Sequence, residues 1–267
     1  MTINDWNIPG SWVEIYHNIF ITAMIGEWVP RVLALVDPKP GESVLDVACG
    51  TGALTRAAAE AVGQRGFVAG ADISPDMLSL ARKLSDNQYP AIEWRECDAQ
   101  SLPFEDEVFD IALCQLGLMF IPDKVAALKE MRRVLKPGGR VAVMVWGAID
   151  KCPGQMAMAK AWEKFFGVEQ AVNFCSMHSM SDPETMREIL VAAGFQDVNI
   201  QQAMGTMRFL SAEQQVRSYG AMGGFSADER VRNAAISEVT QALRAYMGPE
   251  GLAYPIEAVL ARAKRNG

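Results

Sequence analysis

The stretch Val44-Leu45-Asp46-Val47-Ala48-Cys49-Gly50-Thr51-Gly52 decides the fold of this chain. Its first half is short and apolar, as a buried strand is, and its second half is a glycine-rich turn. The run 54–62 that follows is rich in alanine, which favours a helix. A strand that passes through a glycine turn into a helix is typical of open parallel sheets. Such sheets bind ligands at the carboxyl ends of their strands.

Strands and helices alternate outward from this stretch. The sequence predicts strands at 43–48, 66–71, 92–96, 109–115, 140–146, 196–202 and 254–264, the last of which could also be helical. It predicts helices at 11–36, 54–62, 74–84, 123–135, 155–166 and 182–193, and two more within 211–247. This alternation implies right-handed crossovers. The predicted fold is therefore α/β, a Rossmann-like, mostly parallel seven-stranded sheet with helices on both faces.

The bulk composition limits the partners. The chain has 267 residues, of which 50% are apolar and 21% charged, as in an ordinary globular domain. Its net charge of −7 argues against the broad basic face that nucleic-acid binding needs. A small basic cluster at Arg262, Lys264 and Arg265 is interpreted as a solvated chain end. We therefore expect no nucleic acid among the partners.

The N-terminus and the cysteines indicate the compartment. The N-terminus lacks the basic region followed by an apolar stretch that marks a signal peptide. The longest apolar runs, 111–121 and 141–149, fall short of the roughly 18–20 residues that span a bilayer. Five cysteines at scattered spacing form neither a disulfide framework nor a CxxC pair. We therefore expect a cytoplasmic protein with no membrane span and no bound metal.

Two acids sharpen the ligand prediction. Asp72 ends the second predicted strand, where a carboxylate can accept hydrogen bonds from both hydroxyls of an adenosine ribose. Asp98 ends the third, where it could accept the adenine amino group. Each acid alone is more often a capping residue at the end of a strand. Together with Asp46, they outline an adenosine-shaped site.

The loop favours S-adenosylmethionine over a dinucleotide. A dinucleotide fingerprint needs a third glycine for close packing of helix on strand, and Thr55 stands at that position. Asp46 would also repel a pyrophosphate lying at the loop. S-adenosylmethionine carries an ammonium, a sulfonium and only one carboxylate, so the acidic site suits it better.

The ordered motifs resemble those of class I methyltransferases. They are VLDVACGTG, AGADISPDML, ECDAQSLPF, FDIALCQLGLMFIPD and LKPGGR. The resemblance is to the branch with ubiquinone/menaquinone-type C-methyltransferases and many small-molecule methyltransferases. It covers residues 40–147 strongly and is weaker from Ala193 onward. One departure is Ala48, where the family usually has the first glycine of its loop.

The resemblance implies roles for individual residues in binding S-adenosylmethionine. Asp46, Gly50, Thr51 and Gly52 would hold the methionine end, and Asp72 the ribose. The remaining implied contacts are with Ile73 and Met77 near the adenine, Asp98 and Ala99 at its edge, Gln115 beside the acceptor, and Tyr16 covering the site. Tyr16 could equally pack within its own helix.

The resemblance also suggests how the chain is divided. A single domain, 1–267, would consist of an N-terminal helical cap (1–38), a cofactor-binding core (40–147), and lid helices with closing strands (148–267). The lid carries an apolar set that suits a small apolar or aromatic acceptor. Its members are Trp162, Phe165, Phe166, Phe174, Met177, Met180, Tyr219, Met222 and Phe225. For any one of them, core packing of helices is the more frequent explanation.

Methyl transfer needs a base only if the acceptor must lose a proton. His178 in the lid is the better candidate for that base, because His17 could be on a helix surface. Cys152 and Cys175 are too unpatterned to indicate an arsenite acceptor. The motifs are compatible with methylation at oxygen, nitrogen, carbon or sulfur. We expect a small-molecule acceptor as the partner. A homodimer is an open alternative to a monomer.

Two other functions remain as alternatives. The first is a regulatory or assembly protein that binds S-adenosylmethionine without methylating anything, although the intact acids argue against a degenerate site. The second is a nicotinamide-dependent dehydrogenase, which would bind NAD instead.

Overall fold

A computed structural model describes residues 6–87 and 90–267 of the chain. The chain divides into two compact units. The first consists of Met1–Glu27, Gly147–Ser179 and Met204–Glu257, and the second of Trp28–Trp146, Met180–Ala203 and Ala258–Gly267. Most of the predicted cap and lid falls in the first unit, and the predicted core falls in the second.

The strands and helices follow the predicted order. The strands are β1 (Ser43–Val47), β2 (Phe67–Asp72), β3 (Ile92–Glu96), β4 (Phe109–Gln115), β5 (Leu135–Trp146), β6 (Gln196–Phe209), β7 (Met247–Gly248) and β8 (Gly251–Lys264). The α-helices are α1 (Trp12–Ile15), α2 (Val29–Val36), α3 (Ala53–Val62), α4 (Pro75–Leu84), α5 (Lys124–Val134), α6 (Pro153–Phe166), α7 (Val168–Cys175), α8 (Pro183–Ala192), α9 (Ala212–Gly223) and α10 (Glu229–Ala242). A π-helix, Tyr16–Ile25, and a short 3-10 turn, Gly26–Trp28, connect α1 to α2.

The strands form one sheet in the order β3-β2-β1-β4-β5-β8-β6. β1 pairs in parallel with β2 and β4, β2 with β3, and β4 with β5. The order reverses between β1 and β4, and right-handed crossovers then place α3 and α4 on one face and α5 on the other. The predicted α/β, Rossmann-like sheet with helices on both faces is confirmed. The reversal marks the edge where such sheets bind ligands.

Within residues 6–87 and 90–267 the sheet has eight strands, one more than predicted. The additional strand is β7, which has two residues and pairs with Gly251 and Leu252 of β8. A two-residue strand has no alternation that a sequence pattern could reveal. The preferred strand at the tail is confirmed, because β8 runs antiparallel to β5 from Arg140↔Lys264 to Trp146↔Ala258.

Other boundaries also differ from the prediction. β6 continues to Phe209 because residues 203–209 also alternate in burial, although Gly205 interrupts the apolar pattern. β5 begins at Leu135, the last residue of the predicted helix and just before the predicted break at Lys136-Pro137-Gly138-Gly139, because Leu135 pairs with Phe109 ahead of a bulge. Helix α7 was not predicted.

An aromatic cluster forms part of the interior of the first unit. The Trp6 ring stacks on Trp162 with 6.2 Å between the ring centroids. It also makes edge-to-face contacts with Phe166 and Phe225. The Trp6 Nε1 donates a hydrogen bond to the Phe225 carbonyl at 2.9 Å. A side chain at Gly220 would collide with the Trp6 ring. Trp6 is therefore fixed by both packing and a hydrogen bond.

The helical stretch Trp12–Val36 is, among the described residues, the one segment whose length and composition would allow it to cross a membrane. It has 25 residues, and 39% of its most apolar window is buried. Core helices share this length and composition, so the finding by itself assigns no membrane span. The prediction of no span considered only uninterrupted apolar runs, and Glu14 and Glu27 interrupt this one.

Candidate functional site

The loop between β1 and α3 turns sharply through left-handed backbone. Ala48 has φ +55°, Gly50 +55° and Gly52 +76°. Glycine adopts these angles without steric cost. The Gly52 amide donates to the Cys49 carbonyl at 2.9 Å, and α3 begins at the next residue. The turn therefore leads directly into the N-terminus of a helix, which favours a carboxylate.

Ala48, the departure from the family loop, is accommodated by a second glycine. A Cβ added at Gly117 would lie 2.4 Å from the Cβ of Ala48. Leu116, just after β4, also has a positive φ, of +59°. Backbone strain of this kind tends to occur at functional sites. Here it lies at the carboxyl ends of β1 and β4, where the strand order reverses.

Asp46 is a buried acid held by Thr55. Its side chain is 1% exposed, and its Oδ2 accepts a hydrogen bond from the Thr55 hydroxyl at 2.6 Å. The pKa of Asp46 is raised to about 7, mainly by burial and also by Asp72, while the Thr55 hydrogen bond opposes the shift. A nearby cation would favour the ionised carboxylate. A cation bound nearby would therefore favour loss of the Asp46 proton.

Asp72 connects two loops. Its Oδ2 accepts from the Gly50 amide at 2.7 Å, and its Oδ1 accepts from the Ser74 amide at 2.9 Å. A carboxylate has about four acceptor positions, so each oxygen retains capacity for a ligand hydroxyl. The next residue, Ile73, is 70% exposed, as an apolar side chain available to a flat ligand would be. Met77 is buried on α4.

The Asp98 carboxylate is hydrogen-bonded to a residue close to it in the chain. It is exposed, and both its oxygens accept from the Gln100 side-chain amide, at 3.0 and 2.9 Å. Its Oδ1 also accepts from the Gln100 backbone amide at 2.8 Å. These bonds fix the turn after β3, which is the capping role weighed against adenine binding. Its contact with adenine stays a prediction, as do those of Ala99 and Gln115, which are half-buried.

Sequence reasoning missed Trp94. A Cβ added at Gly52 or Gly70 would lie 2.3 or 2.4 Å from the Trp94 ring. Gly70 is directly opposite Trp94 in the β2–β3 register, and the indole Nε1 donates to the Ser85 hydroxyl at 3.2 Å. The two glycines therefore provide space for the indole. A glycine inside a strand was the available signal.

Two cysteines adjoining these acids were also missed. The pKa of Cys97 is raised to about 11, mainly by burial and also by Asp72 and Asp98. Burial also raises the pKa of Cys49, with Asp46 and Asp72 adding to the effect. Both thiols are therefore neutral at physiological pH. Within residues 6–87 and 90–267, no group of three or more His, Cys, Asp or Glu side chains could hold a metal ion.

Two predicted residues, Tyr16 and His178, belong to the first unit. Tyr16 is half-buried on the π-helix. His178 is 6% exposed, and its Nδ1 lies 2.7 Å from the Gly147 carbonyl oxygen. Burial lowers the pKa of His178, so the ring is neutral at pH 7. Because Nδ1 must carry the proton to donate to a carbonyl, Nε2 holds a lone pair.

Comparison with known proteins places this geometry in a family. The sequence model of the ubiE/COQ5 methyltransferase family matches residues 18–210. A demethylmenaquinone methyltransferase of Bacillus cereus is 45% identical over 115 residues, which are 43% of this chain and 48% of the relative. One from Bacillus velezensis is 41% identical over 119 residues, 44% and 51% of the two chains. This chain therefore spans about half the length of the curated relatives it matches.

Solved structures agree on the fold. A putative methyltransferase from Bacillus halodurans aligns with a TM-score of 0.63 at 20% identity, covering 91% of this chain and all of that one. Phosphoethanolamine N-methyltransferase 2 of Haemonchus contortus, in complex with S-adenosyl-L-methionine, aligns with a TM-score of 0.62 at 20% identity. That alignment covers 96% of this chain and 56% of the other.

Proposed function

Since the chain belongs to the ubiE/COQ5 methyltransferase family, we propose that it transfers the methyl group of S-adenosylmethionine to a small apolar or aromatic acceptor. The observation that carries this proposal is Asp46, a buried carboxyl with a pKa of about 7 at the end of β1. Burial of a lone acid is costly, and a cationic ligand offsets that cost. S-adenosylmethionine is such a ligand, whereas a dinucleotide pyrophosphate would be repelled.

The residues of the second unit fit the parts of this cofactor. Asp46 would face its charged methionine end, and the loop 50–52 would approach it through backbone groups. Asp72 would accept hydrogen bonds from the ribose hydroxyls, with Ile73 and Met77 beside the adenine. When bound, the cofactor supplies an electrophilic methyl group on a sulfonium. The protein's part is to align the acceptor and exclude water.

A hydroxylated or quinone-type ring is the acceptor class that we favour. Curated relatives carry the name demethylmenaquinone methyltransferase. His178 would take the proton from such an acceptor, because its Nε2 lone pair is buried and its ring is neutral. We further propose that the protein works in the cytoplasm and without nucleic acid. The net charge of −7 and five unpaired cysteines support this.

Calorimetry tests cofactor binding. S-adenosylhomocysteine should bind the wild-type protein, and Asp72→Ala should weaken binding by about 1–3 kcal/mol, as for lost hydrogen bonds to a charged group. Asp76→Ala, at an acid in the first turn of α4, is the matched control and should bind normally. Unchanged affinity in Asp72→Ala would remove the ribose assignment.

A transfer assay tests the activity itself. Release of S-adenosylhomocysteine should be measured with reduced quinones, phenols, amines and thiols as acceptors. We expect turnover with the first two classes. Tight cofactor binding without turnover in any class would instead support the non-methylating alternative.

A further inference from the structure

Four polar side chains are buried together in the first unit. Gln155 lies on α6, Gln215 and Tyr219 on α9, and Tyr254 on β8; we refer to them as the Gln–Tyr cluster. The two glutamines are 0% exposed, Tyr254 1% and Tyr219 7%. The Gln155 Nε2 donates to the Tyr219 hydroxyl at 2.7 Å. The Tyr254 ring lies against Gly154, where an added Cβ would be only 2.0 Å from it.

The cluster holds more polar atoms than it pairs. Among the described residues, four of its buried atoms have no hydrogen-bond partner: Gln155 Oε1, Gln215 Oε1, Gln215 Nε2 and Tyr254 OH. Burial raises the pKa of Tyr254, and the nearby Gln215 amide opposes that rise, yet the two groups do not meet in hydrogen-bond geometry. Buried polar groups in native proteins are nearly always satisfied. Four unsatisfied atoms in one place indicate groups arranged for a partner.

The surroundings define the chemistry of that partner. Burial raises the pKa of both tyrosines, and Cys152 adds to that rise. Burial also raises the pKa of Cys152 itself, to about 12. Cys152 is therefore neutral, as are the amides and phenols. The Tyr219 ring packs edge-on against Phe20 and Phe174, with centroids 4.8 and 5.2 Å away. The environment is apolar, uncharged, and equipped with both donors and acceptors.

We propose that the Gln–Tyr cluster binds the oxygen substituents of the methyl acceptor, a neutral apolar ring or chain that carries hydroxyl or carbonyl groups. The inference rests on the proposed function for the identity of the ligand. The amide oxygens and the tyrosine oxygen accept from a hydroxyl, and the Gln215 amide and the Tyr254 hydroxyl donate to a carbonyl. A charged acceptor would be excluded, because the cluster offers no countercharge.

Three probes test the site directly: 2-naphthol, naphthalene and 2-naphthoate, titrated by fluorescence against the full chain. We expect 2-naphthol to bind the wild-type protein and 2-naphthoate to bind at least tenfold more weakly. Gln215→Leu and Tyr254→Phe should each weaken 2-naphthol binding about fivefold or more and leave naphthalene binding unchanged. Gln241→Leu, at an exposed glutamine on α10 of the same unit, should change neither.

Thermal unfolding separates a binding role from a structural one. If the atoms await a ligand, Gln215→Leu removes an unsatisfied amide, and the Tm of the unliganded protein stays level or rises. If Gln215 and Tyr254 instead satisfy each other in solution, both variants lower the Tm and leave 2-naphthol binding intact. That result, or a wild-type protein that fails to bind 2-naphthol, overturns the proposal.

The assay for methyl transfer distinguishes this inference from the proposed function. With a hydroxylated acceptor, Gln215→Leu should raise its KM and leave the affinity for S-adenosylhomocysteine unchanged. Turnover with an unchanged acceptor KM overturns the inference and leaves the function standing. Binding of 2-naphthol that depends on the cluster, without turnover of any acceptor, keeps the site and rejects the function.

Discussion

The Cβ of Ala48 occupies the space into which a side chain at Gly117 would project, 2.4 Å away. The two residues follow β1 and β4, the neighbouring strands at which the order of the sheet reverses. Ala48 is in the left-handed region at φ +55°, whereas Gly117 has an ordinary φ of −104°. Gly117 is therefore needed for space and not for its backbone freedom. A non-glycine residue in the first loop is tolerated because the second loop has a glycine.

This pairing predicts a rescue. Gly117→Ala should destabilise the protein by about 1–3 kcal/mol, as overpacking does, because the nearest obstacle is a Cβ close to the backbone. Ala48→Gly alone should be neutral or stabilising by up to about 1 kcal/mol, since it relieves a left-handed non-glycine residue. In the double variant, the closest remaining atom is the Cys114 Sγ at 3.3 Å. Urea unfolding of all four proteins should give a strongly favourable coupling energy, and additive effects would contradict the pairing.

Asp46 should make cofactor affinity depend on pH. Its pKa is about 7 in the unliganded protein, and an ammonium or sulfonium nearby favours the ionised form. Affinity for S-adenosylmethionine should therefore rise between pH 6 and pH 8, with release of up to one proton on binding. Calorimetry in two buffers of different ionisation enthalpy measures that proton. Asp46→Asn should bind more weakly and show neither effect.

A rise in pH should also act on folding stability through Asp46, in the opposite direction to its effect on cofactor affinity. The pKa of Asp46 is raised from 3.8 to about 7 by burial, so the folded state favours the protonated carboxyl. Its contribution to the free energy of unfolding is complete below about pH 4 and is lost as the pH rises through 7. Asp46→Asn should therefore gain stability relative to the wild type from pH 5 to pH 8. A constant difference over that range would show that the acid is not buried as described.

Asp98 can be tested by ligand choice. If it accepts the adenine amino group, Asp98→Ala should reduce the preference for S-adenosylhomocysteine over the inosine analogue, which lacks that group. Asp72→Ala should weaken both ligands equally, because the ribose is common to them. If the bonds to Gln100 are the whole role of Asp98, its variant will keep the preference and lose only local stability.

His178 should control turnover of hydroxyl acceptors. His178→Ala should lower kcat about 10²–10⁴-fold, the usual contribution of a general base, without changing cofactor affinity. The acid limb of the wild-type pH–rate profile should lie below the ordinary histidine value of 6.5, because burial lowers the pKa. His17→Ala is the control, since it removes the other histidine. Retention of full kcat in His178→Ala would exclude the role.

Local signals made most of the sheet predictable. β4 has the predicted boundaries, because a short apolar run bounded by polar turns marks a buried strand. β3 also has the predicted boundaries, although three of its five residues are charged and it is half-buried or exposed. The glycine loop and its acids were likewise visible as a short motif. The sequence pattern also indicated the closing strand β8, although its composition allowed a helix.

What the sequence did not reveal depends on partners distant in the chain. Thr55 was considered only as a missing glycine, whereas its hydroxyl holds the buried Asp46. The space for Trp94 depends on Gly52 and Gly70, which lie on other elements. The Gln–Tyr cluster brings together three segments whose glutamines look like ordinary polar positions on helices. Neither hydrophobic periodicity nor a short motif indicates such contacts between residues distant in the chain.

One carboxylate, Asp72, accepts hydrogen bonds from the loop after β1 and from the turn that begins α4. A ligand that orders one of these loops therefore lowers the entropic cost of ordering the other. Adenosine and methionine, added as separate molecules, should accordingly enhance each other's binding, and by the same factor in both directions. The two ends of the ligand-binding site are thermodynamically linked through a residue that belongs to neither loop's own backbone.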